Sequence, residues 1–327
     1  MENSTFSRRR FLGTAASAAA LAVLPFNHSL ATGKQPKKPN SKVNGVQLGL
    51  TTYSYRSIPH NLEEVLQYVL TSGINSLEMR SVLEEGLGIP QMPRPVRGAS
   101  LTDAEKAEQA KAAKEIREKQ RLWRLSLPMQ KYVDIRKMYN KAGVEIHIAK
   151  FVPSGWADEE IDYAYNAAKA LGAYGITDEF TDEAAQRLGK FAEKHNSLAI
   201  YHTHGQFGQP GFDIDKYLGY SKANRLNLDI GHYYGSTGLH PNGIIEKYHH
   251  LIPSIHVKDK TGPKHAQPNA NRPFGQGETP IADVLLLIKK EKWPINVDIE
   301  LEYDIPKDSD PVKEVTKCIE YMRNILE

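Results

Sequence analysis

Short strand-like segments alternate with helical segments along most of this chain, and that alternation constrains the fold more than any other feature. The strand-like runs are apolar or β-branched and about four to eight residues long. The stretches between them repeat their apolar residues at helical spacing, and no change in composition divides the series. The predicted strands are Val46–Tyr53, Gly73–Met79, Gly143–Ile148, Tyr174–Thr177, Leu198–His202, Arg225–Ile230, Ile252–Val257 and Ile295–Leu301.

Eight strand–helix pairs predict a (β/α)8 TIM barrel, because strands joined by helices run parallel and eight of them can close into a cylinder. The alternative is an open, doubly wound sheet, which normally carries a glycine-rich phosphate loop after its first strand. Here that position reads Thr51-Thr-Tyr-Ser-Tyr-Arg56, without glycine. We therefore predict one barrel domain over residues 45–327, with an inserted loop and helix at 81–127 after the second strand. In this insertion, Thr102-Asp-Ala-Glu105 has the sequence of a capping box and predicts a helix start.

The first 31 residues resemble an export signal. Ser7-Arg8-Arg9-Arg10-Phe11-Leu12 resembles the twin-arginine motif, and an alanine-rich run from Gly13 to Leu24 follows it. About 14 moderately apolar residues are too few for a bilayer span of about 20. We predict a cleaved signal peptide at 1–31 and a flexible polar linker at 32–44. The protein is then periplasmic or otherwise exported, with no stable membrane insertion.

The charge balance argues against nucleic acid as a partner. Lys and Arg number 42 and Asp and Glu 39, a formal net charge of +3, whereas nucleic-acid-binding domains are usually strongly basic. The single cysteine, Cys318, lies on the apolar face of the last predicted helix and has no partner for an internal disulfide. We interpret it as a buried structural thiol.

The later strands end in residue types that bind divalent metals. Asp229, His256 and Glu300 lie at or near the C-terminal ends of three predicted strands. In a parallel barrel these ends form one rim, so residues dozens of positions apart can converge on a single ion. The sequence therefore predicts a metal site at this rim.

Together, four strand-end motifs resemble the sugar phosphate isomerase/epimerase family of xylose isomerase-like TIM barrels. The resemblance covers residues 45–326. It implies one divalent ion held by Glu179, Asp229, His256 and Glu300. Three carboxylates and one imidazole suit Mn²⁺, Mg²⁺ or Co²⁺, with Zn²⁺ as a further alternative. The motifs are Tyr201-His202-Thr-His204, Leu228-Asp229-Ile-Gly-His232, Ile255-His256-Val-Lys258-Asp259 and Ile299-Glu300-Leu-Glu302.

Two of the implied ligands have neighbours of the same chemistry. Asp178 stands beside Glu179, and Glu302 shares a strand face with Glu300 because side chains repeat every two residues. Glu300 is preferred because the family pattern places the ligand first in Ile-Glu-x-Glu. Asp298 lies deeper on that face and is predicted to be structural.

The resemblance also implies a carbohydrate substrate and a two-base mechanism. Glu179 and Glu300 are the predicted catalytic pair: one removes a proton next to a sugar carbonyl, and the other returns a proton to the opposite face. The metal would stabilise the intervening enediolate as a Lewis acid. The predicted substrate-binding residues are His147, His204, His232 and Lys258.

We therefore predict a divalent-metal-dependent isomerase or epimerase of a keto-sugar or sugar derivative. The same enolate chemistry also fits a lyase or hydratase that eliminates from 3-keto-glycosides or resembles inosose dehydratase. A non-catalytic sugar-binding barrel is a third hypothesis. A nuclease of this superfamily is disfavoured, because such sites hold three zinc ions and need more ligands than the four identified.

Overall fold

Parallel strands close into a barrel, which confirms the predicted (β/α)8 fold. The computed structural model describes residues 38–80, 82–92 and 102–327; the predicted signal peptide lies outside this part of the chain. Each barrel strand pairs with the next one in sequence, and the last pairs with the first. The strands are β1 (Val46–Thr51), β2 (Ser76–Met79), β3 (Glu145–Lys150), β4 (Gly175–Glu179), β5 (Leu198–His202), β6 (Asn224–Asp229), β7 (Ser254–Val257) and β8 (Asn296–Ile299).

Helices cover the outside of the barrel and side chains fill its interior, so the strands are buried on both faces. Every residue of β2 and β7 is buried, as expected for parallel strands covered by helices outside and filled by side chains inside. Within the described residues, no helix combines the length and apolarity needed to cross a membrane. The helices are α1 (Leu62–Thr71), α2 (Val82–Gly86), α3 (Asp103–Ser126), α4 (Gln130–Ala142), α5 (Asp158–Leu171), α6 (Asp182–His195), α7 (Ile214–Leu218), α8 (Ile230–Thr237), α9 (Asn242–Tyr248), α10 (Ile281–Glu291) and α11 (Pro311–Leu326).

A short hairpin precedes the barrel. Lys42 and Val43 pair antiparallel with the start of β1, and the turn between them uses the positive φ angles of Asn44 (45°) and Gly45 (94°). Ser41 is fully buried and donates to the carbonyl oxygen of Leu48 at 2.7 Å. The segment 32–44, predicted to be a flexible linker, is therefore fixed on the barrel from Ser41 onward.

The insertion after β2 is held on the barrel by a buried arginine. Helix α3 begins after the Thr102 capping box, as the sequence predicts. Near its end, the Arg124 guanidinium contacts Glu84 of α2 and Glu160 of α5, each at 2.8 Å, and lies 3.6 Å from the Trp156 ring centroid. Arg124 thus joins α2, α3 and α5 into one layer over this side of the barrel.

Asp259, two residues after β7, organises the loop that leads to α10. Its carboxylate accepts hydrogen bonds from the backbone N–H groups of Gly275, Gly277 and Thr279 at 2.9–3.2 Å. A β-carbon at Gly277 would lie 2.2 Å from the Asp259 carboxylate. The last residue of the sequence motif Ile255–Asp259 therefore has a structural role in this fold.

The barrel interior depends on a glycine in β1. A β-carbon at Gly49 would lie 2.1 Å from Asp298 Oδ1 and 2.9 Å from the Ser76 carbonyl oxygen. Asp298, which is fully buried, contacts His147 Nε2 at 3.0 Å, and His147 Nδ1 lies 2.9 Å from Ser76 Oγ. Gly49 thus leaves the space in which this buried pair meets.

Replacing Gly49 with alanine should destabilise the barrel, because the new methyl group has no room beside Asp298. We expect the free energy of unfolding to fall by about 1–3 kcal/mol, measured by chemical denaturation. Gly155→Ala is the matched control, since a β-carbon there meets nothing within 4 Å. Equal stability of the two variants would contradict this account of the interior.

Candidate active site

Four side chains from neighbouring strand ends form a buried group at the C-terminal mouth of the barrel. His202 ends β5, Asp229 ends β6, His256 lies in β7 and Glu300 follows β8. One ligand-type atom from each lies within 4.8 Å of the others, and all four residues are buried. The structure thus brings together three of the predicted ligands, Asp229, His256 and Glu300, and adds His202. We refer to these four residues as the metal group.

The Asp229 carboxylate is divided between a helix cap and the metal group. Its Oδ1 accepts a hydrogen bond from the backbone N–H of His232 at 2.7 Å and so caps the start of α8. Its Oδ2 is fully buried and makes no hydrogen bond of good geometry among the described residues; the cation beside it is the Lys258 ammonium, at 3.0 Å. Such an oxygen is costly to bury unless a cation compensates it. This arrangement fits a metal ligand.

An amide network sets the orientation of His202. Asn227 donates through Nδ2 to Glu78 Oε2 at 3.2 Å and to Ser254 Oγ at 2.7 Å, so its Oδ1 acts as an acceptor. His202 Nδ1 lies 3.2 Å from that oxygen and is therefore the protonated ring nitrogen. The Nε2 lone pair of His202 then faces the metal group. Burial, followed by the nearby positive charges of His256 and Lys150, lowers the pKa of His202 well below its usual value and keeps it neutral.

A buried carboxylate, Glu78, contacts His256 from the side opposite the metal group. Glu78 has no solvent exposure, and its Oε2 lies 3.1 Å from His256 Nε2. The other ring nitrogen, Nδ1, lies 3.0 Å from Glu300 Oε2. Burial alone would lower the pKa of His256, but Glu78 and Glu300 outweigh it and raise that pKa well above its usual value. A hydrogen bond from Nε2 to Glu78 leaves Nδ1 directed at the metal group, the arrangement common in carboxylate–histidine–metal triads.

Lys258 supplies a positive charge inside the same group. Its Nζ lies 3.0 Å from Asp229 Oδ2, 2.9 Å from Glu300 Oε2 and 2.6 Å from Glu302 Oε2. Burial would lower the pKa of Lys258, but these three carboxylates raise it, so the ammonium stays charged. In turn, Lys258 and His256 outweigh burial and hold the pKa of Glu300 well below its usual value. Asp229 differs, because burial raises its pKa more than Lys258 lowers it.

Glu179 lies outside the metal group, at the end of β4. Its Oε1 contacts Lys150 Nζ at 2.8 Å, and its Oε2 lies 3.5 Å from His204 Nδ1. About a third of the side chain is exposed, so the carboxylate faces the mouth. The neighbouring Asp178 is buried and accepts from the backbone N–H groups of Ser154 and Glu179 at 2.8 and 2.6 Å. Of these two acidic neighbours, Glu179 is therefore the one that faces the site.

The predicted substrate-binding residues divide into two groups. Half-exposed His204 and mostly buried His232 line the mouth, with ring centroids 4.9 Å apart, and Lys258 lies 3.1 Å from His232 Nε2. Burial, followed by the charges of Lys258 and Lys260, lowers the pKa of His232 to about 2, so this imidazole is neutral. His147 differs: it lies three residues before the end of β3, about 10 Å below the mouth by strand rise. Because Ser76 and Asp298 occupy both its ring nitrogens, the structure assigns His147 a structural place instead of the predicted contact with substrate.

A cavity of about 430 Å³ lies beside the mouth. It is formed by the loop after β1 and by helix α2, and no residue of the metal group lines it. Arg56, at its edge, donates to the Leu301 carbonyl oxygen at 2.6 Å, one residue beyond Glu300. The cavity therefore lies at the same end of the barrel as the metal group, outside the group itself.

The fold recurs in solved structures at low sequence identity. A sugar phosphate isomerase/epimerase from Parabacteroides distasonis aligns with a TM-score of 0.57 at 15% identity, over 93% of this chain and 100% of that one. A probable 3-DHS dehydratase from Bacillus anthracis aligns with a TM-score of 0.57 at 12% identity, over 84% of this chain and 98% of that one. A D-psicose 3-epimerase from Clostridium cellulolyticum aligns with a TM-score of 0.55 at 9% identity, over 86% of this chain and 100% of that one. A scan of family models and a search of curated proteins found no match. At these identities the likeness shows the fold alone.

Sequence reasoning did not assign roles to Glu78 or Asn227, and for Lys150, at the end of strand three, it left open a substrate contact or a polar rim position. Glu78 is the one charged residue in an otherwise uncharged buried strand, Ser76–Met79, and that pattern was the available signal. Asn227 lies two residues before Asp229 and so shares its face of β6. Lys150 ends β3 beside β4, and only the fold shows that it contacts Glu179.

Replacing Glu78 with glutamine tests whether its contact with His256 supports ion binding. We expect divalent-ion affinity to fall about 10–100-fold, because the carboxylate behind a ligating histidine fixes its ring and raises its basicity. Titration calorimetry with Mn²⁺ or Co²⁺ measures this change. Glu145→Gln, at the exposed start of β3, is the control. Unchanged affinity in Glu78→Gln would remove Glu78 from the site.

Proposed function

We propose that this protein is a divalent-metal-dependent isomerase or epimerase acting on a keto-sugar or a sugar derivative. The observation that carries the proposal is the metal group at the barrel mouth, with Glu179 on the facing wall. In the closed sheet, β4 and β8 are separated by three strands in either direction, so Glu179 and Glu300 approach the mouth from opposite sides. The export predicted from residues 1–31 favours a free sugar over a phosphorylated one, and export itself is part of the proposal.

The donor set refines the choice of metal. His202, Asp229, His256 and Glu300 offer two imidazoles and two carboxylates, which suit Mn²⁺, Co²⁺ or Zn²⁺ better than the oxygen-preferring Mg²⁺. An ion bound there would polarise a substrate carbonyl and stabilise negative charge on its oxygen. Glu179 stays a predicted ligand from the family resemblance, while its contacts with Lys150 and His204 favour a role as an acid or base.

Proton transfer is the step that the chain's own residues perform. Glu179 would remove the proton next to the carbonyl from one face of the sugar. Glu300, whose low pKa leaves it ionised, would first have to take up a proton and would then return it to the other face. Lys150 holds Glu179 Oε1, which leaves the buried Oε2, free of hydrogen bonds to the described residues, as the proton acceptor. His204 and His232 line the mouth, and together with Lys258 beside them they would bind hydroxyl groups of the substrate.

A second candidate reaction is elimination from a 3-keto-glycoside. The cavity of about 430 Å³ beside the mouth favours it, because a glycoside needs space for the part that leaves. Removal of the same proton would then be followed by loss of the leaving group from the β-carbon. Product analysis distinguishes the two reactions: epimerised sugar supports the first, and a released aglycone without epimerisation supports the second. Sugar binding that needs no ion and survives Glu300→Gln, without turnover, would instead indicate a non-catalytic binding barrel.

Activity should depend on a divalent ion. We expect protein treated with a chelator to lose turnover of a panel of keto-sugars and 3-keto-glycosides, and Mn²⁺ or Co²⁺ to restore it. Steady-state rates with and without added ion measure this. Full activity in protein shown to be metal-free by elemental analysis would contradict the proposal.

Glu179→Gln should separate the two proton transfers. In deuterated water we expect this variant to lose epimerisation by about 100-fold or more, the contribution typical of a general acid or base. If Glu300 removes the proton in the reverse direction, exchange from that epimer persists. Nuclear magnetic resonance measures both quantities, and Glu183→Gln, an exposed neighbour at the start of α6, is the control. Normal epimerisation by Glu179→Gln would show that this residue is not the base.

A further inference from the structure

Lys258 contacts two different sets of groups. On one side its Nζ lies 3.0 Å from Asp229 Oδ2 and 2.9 Å from Glu300 Oε2, both in the metal group. On the other side it lies 2.6 Å from Glu302 Oε2 and 3.1 Å from His232 Nε2, neither of which belongs to that group. The ammonium therefore sits between the ligands of an ion and an independent pair of acceptors.

We propose that Lys258 is a built-in competitor of the divalent ion, and that ion binding displaces its ammonium from Asp229 and Glu300 toward Glu302 and His232. This inference rests on the proposed function for the identity of the ion site. An ammonium and a divalent ion cannot both use these two carboxylates without bringing two positive charges into contact. One of them must leave, and only Lys258 has acceptors outside the group.

The surroundings of Lys258 allow its head to move while its stem stays in place. A β-carbon at Gly231 would lie 2.4 Å from Lys258 Cγ and 2.6 Å from its carbonyl oxygen, so the stem passes close against the backbone of α8. Glu302 is about one-fifth exposed, whereas Asp229 and Glu300 are buried. Loss of the contacts with Asp229 and Glu300 therefore leaves the ammonium on its more exposed partner, Glu302, which it already contacts at 2.6 Å.

The exchange has a consequence for substrate binding. With its ammonium among Asp229 and Glu300, Lys258 neutralises the carboxylates that a divalent ion would otherwise neutralise. After displacement, the same ammonium keeps only its contacts with Glu302 and His232, so a donor freed from Asp229 and Glu300 can turn to substrate oxygens at the mouth. Binding of the ion would therefore be coupled to making the Lys258 ammonium available to the substrate.

The test is ion affinity, measured on the full-length chain after chelator treatment. We expect Lys258→Met to bind Mn²⁺ and Co²⁺ at least about tenfold more tightly than the natural chain, because the ion no longer displaces a contacting charge. Lys260→Met is the matched control: Lys260 is a buried lysine two residues away that bonds Asn271 at 2.8 Å and contacts none of these carboxylates. Its affinity should rise much less than that of Lys258→Met, because Lys260 makes no direct contact with Asp229 or Glu300 and the interaction weakens with distance. Equal or weaker binding by Lys258→Met would overturn the proposal.

Glu302→Gln provides an independent arm that keeps Lys258 in place. It should weaken ion binding in the natural background, because the displaced ammonium loses its acceptor. In the Lys258→Met background the same change should have little effect, and a double-mutant cycle measures the difference. An equal effect of Glu302→Gln in both backgrounds would contradict the exchange.

The outcomes separate this inference from the proposed function. Binding by Lys258→Met alone, with none by the natural chain, supports the competition but contradicts a metal-dependent enzyme. Equal binding by both chains refutes the competition and leaves the proposed function intact. An absence of binding by either chain refutes both.

Discussion

The pairing of buried carboxylates with buried imidazoles and with the Lys258 ammonium is the constraint on which the site depends. Asp298 meets His147 in the interior, Glu78 and Glu300 flank His256, and Lys258 contacts Asp229 and Glu300 at the mouth. A buried charge that loses its partner costs several kcal/mol, so each member fixes the position of the next. The same pairing holds the mouth side chains in place. A change at Glu78 is therefore felt at the metal group through His256.

This arrangement gathers several carboxylates in one buried site, and neighbouring positive groups offset part of their negative charge. Four carboxylates, those of Glu78, Asp229, Glu300 and Glu302, share the space with the Lys258 ammonium and with His256, whose pKa is raised, despite its burial, by Glu78 and Glu300. The imidazoles of His202 and His232 are neutral. A divalent ion fits such a group only if a resident positive charge moves. The fold supports that movement because Glu302 and His232 lie beside Lys258 but outside the metal group.

Much of this architecture can be predicted from the sequence, for identifiable reasons. The barrel follows from the alternation of strands and helices, and the convergence of Asp229, His256 and Glu300 follows from the shared rim of parallel strands. His202 was expected only at the rim, because its role depends on the tautomer set by Asn227. Helix α7 is short, Ile214–Leu218, and α8 begins directly after Asp229, where a candidate ligand also serves as the helix cap. The hairpin at Lys42–Val43 depends on pairing with β1, which a polar, lysine-rich sequence does not indicate.

The central claim is that one divalent ion is held by His202, Asp229, His256 and Glu300. Anomalous diffraction from crystals grown with Mn²⁺ or Co²⁺ tests it most directly. The account predicts one strong anomalous peak among these four side chains, with Lys258 Nζ moved away from Asp229 and Glu300 and still in contact with Glu302. A peak elsewhere in the barrel, or no peak from crystals soaked to saturation, would contradict it.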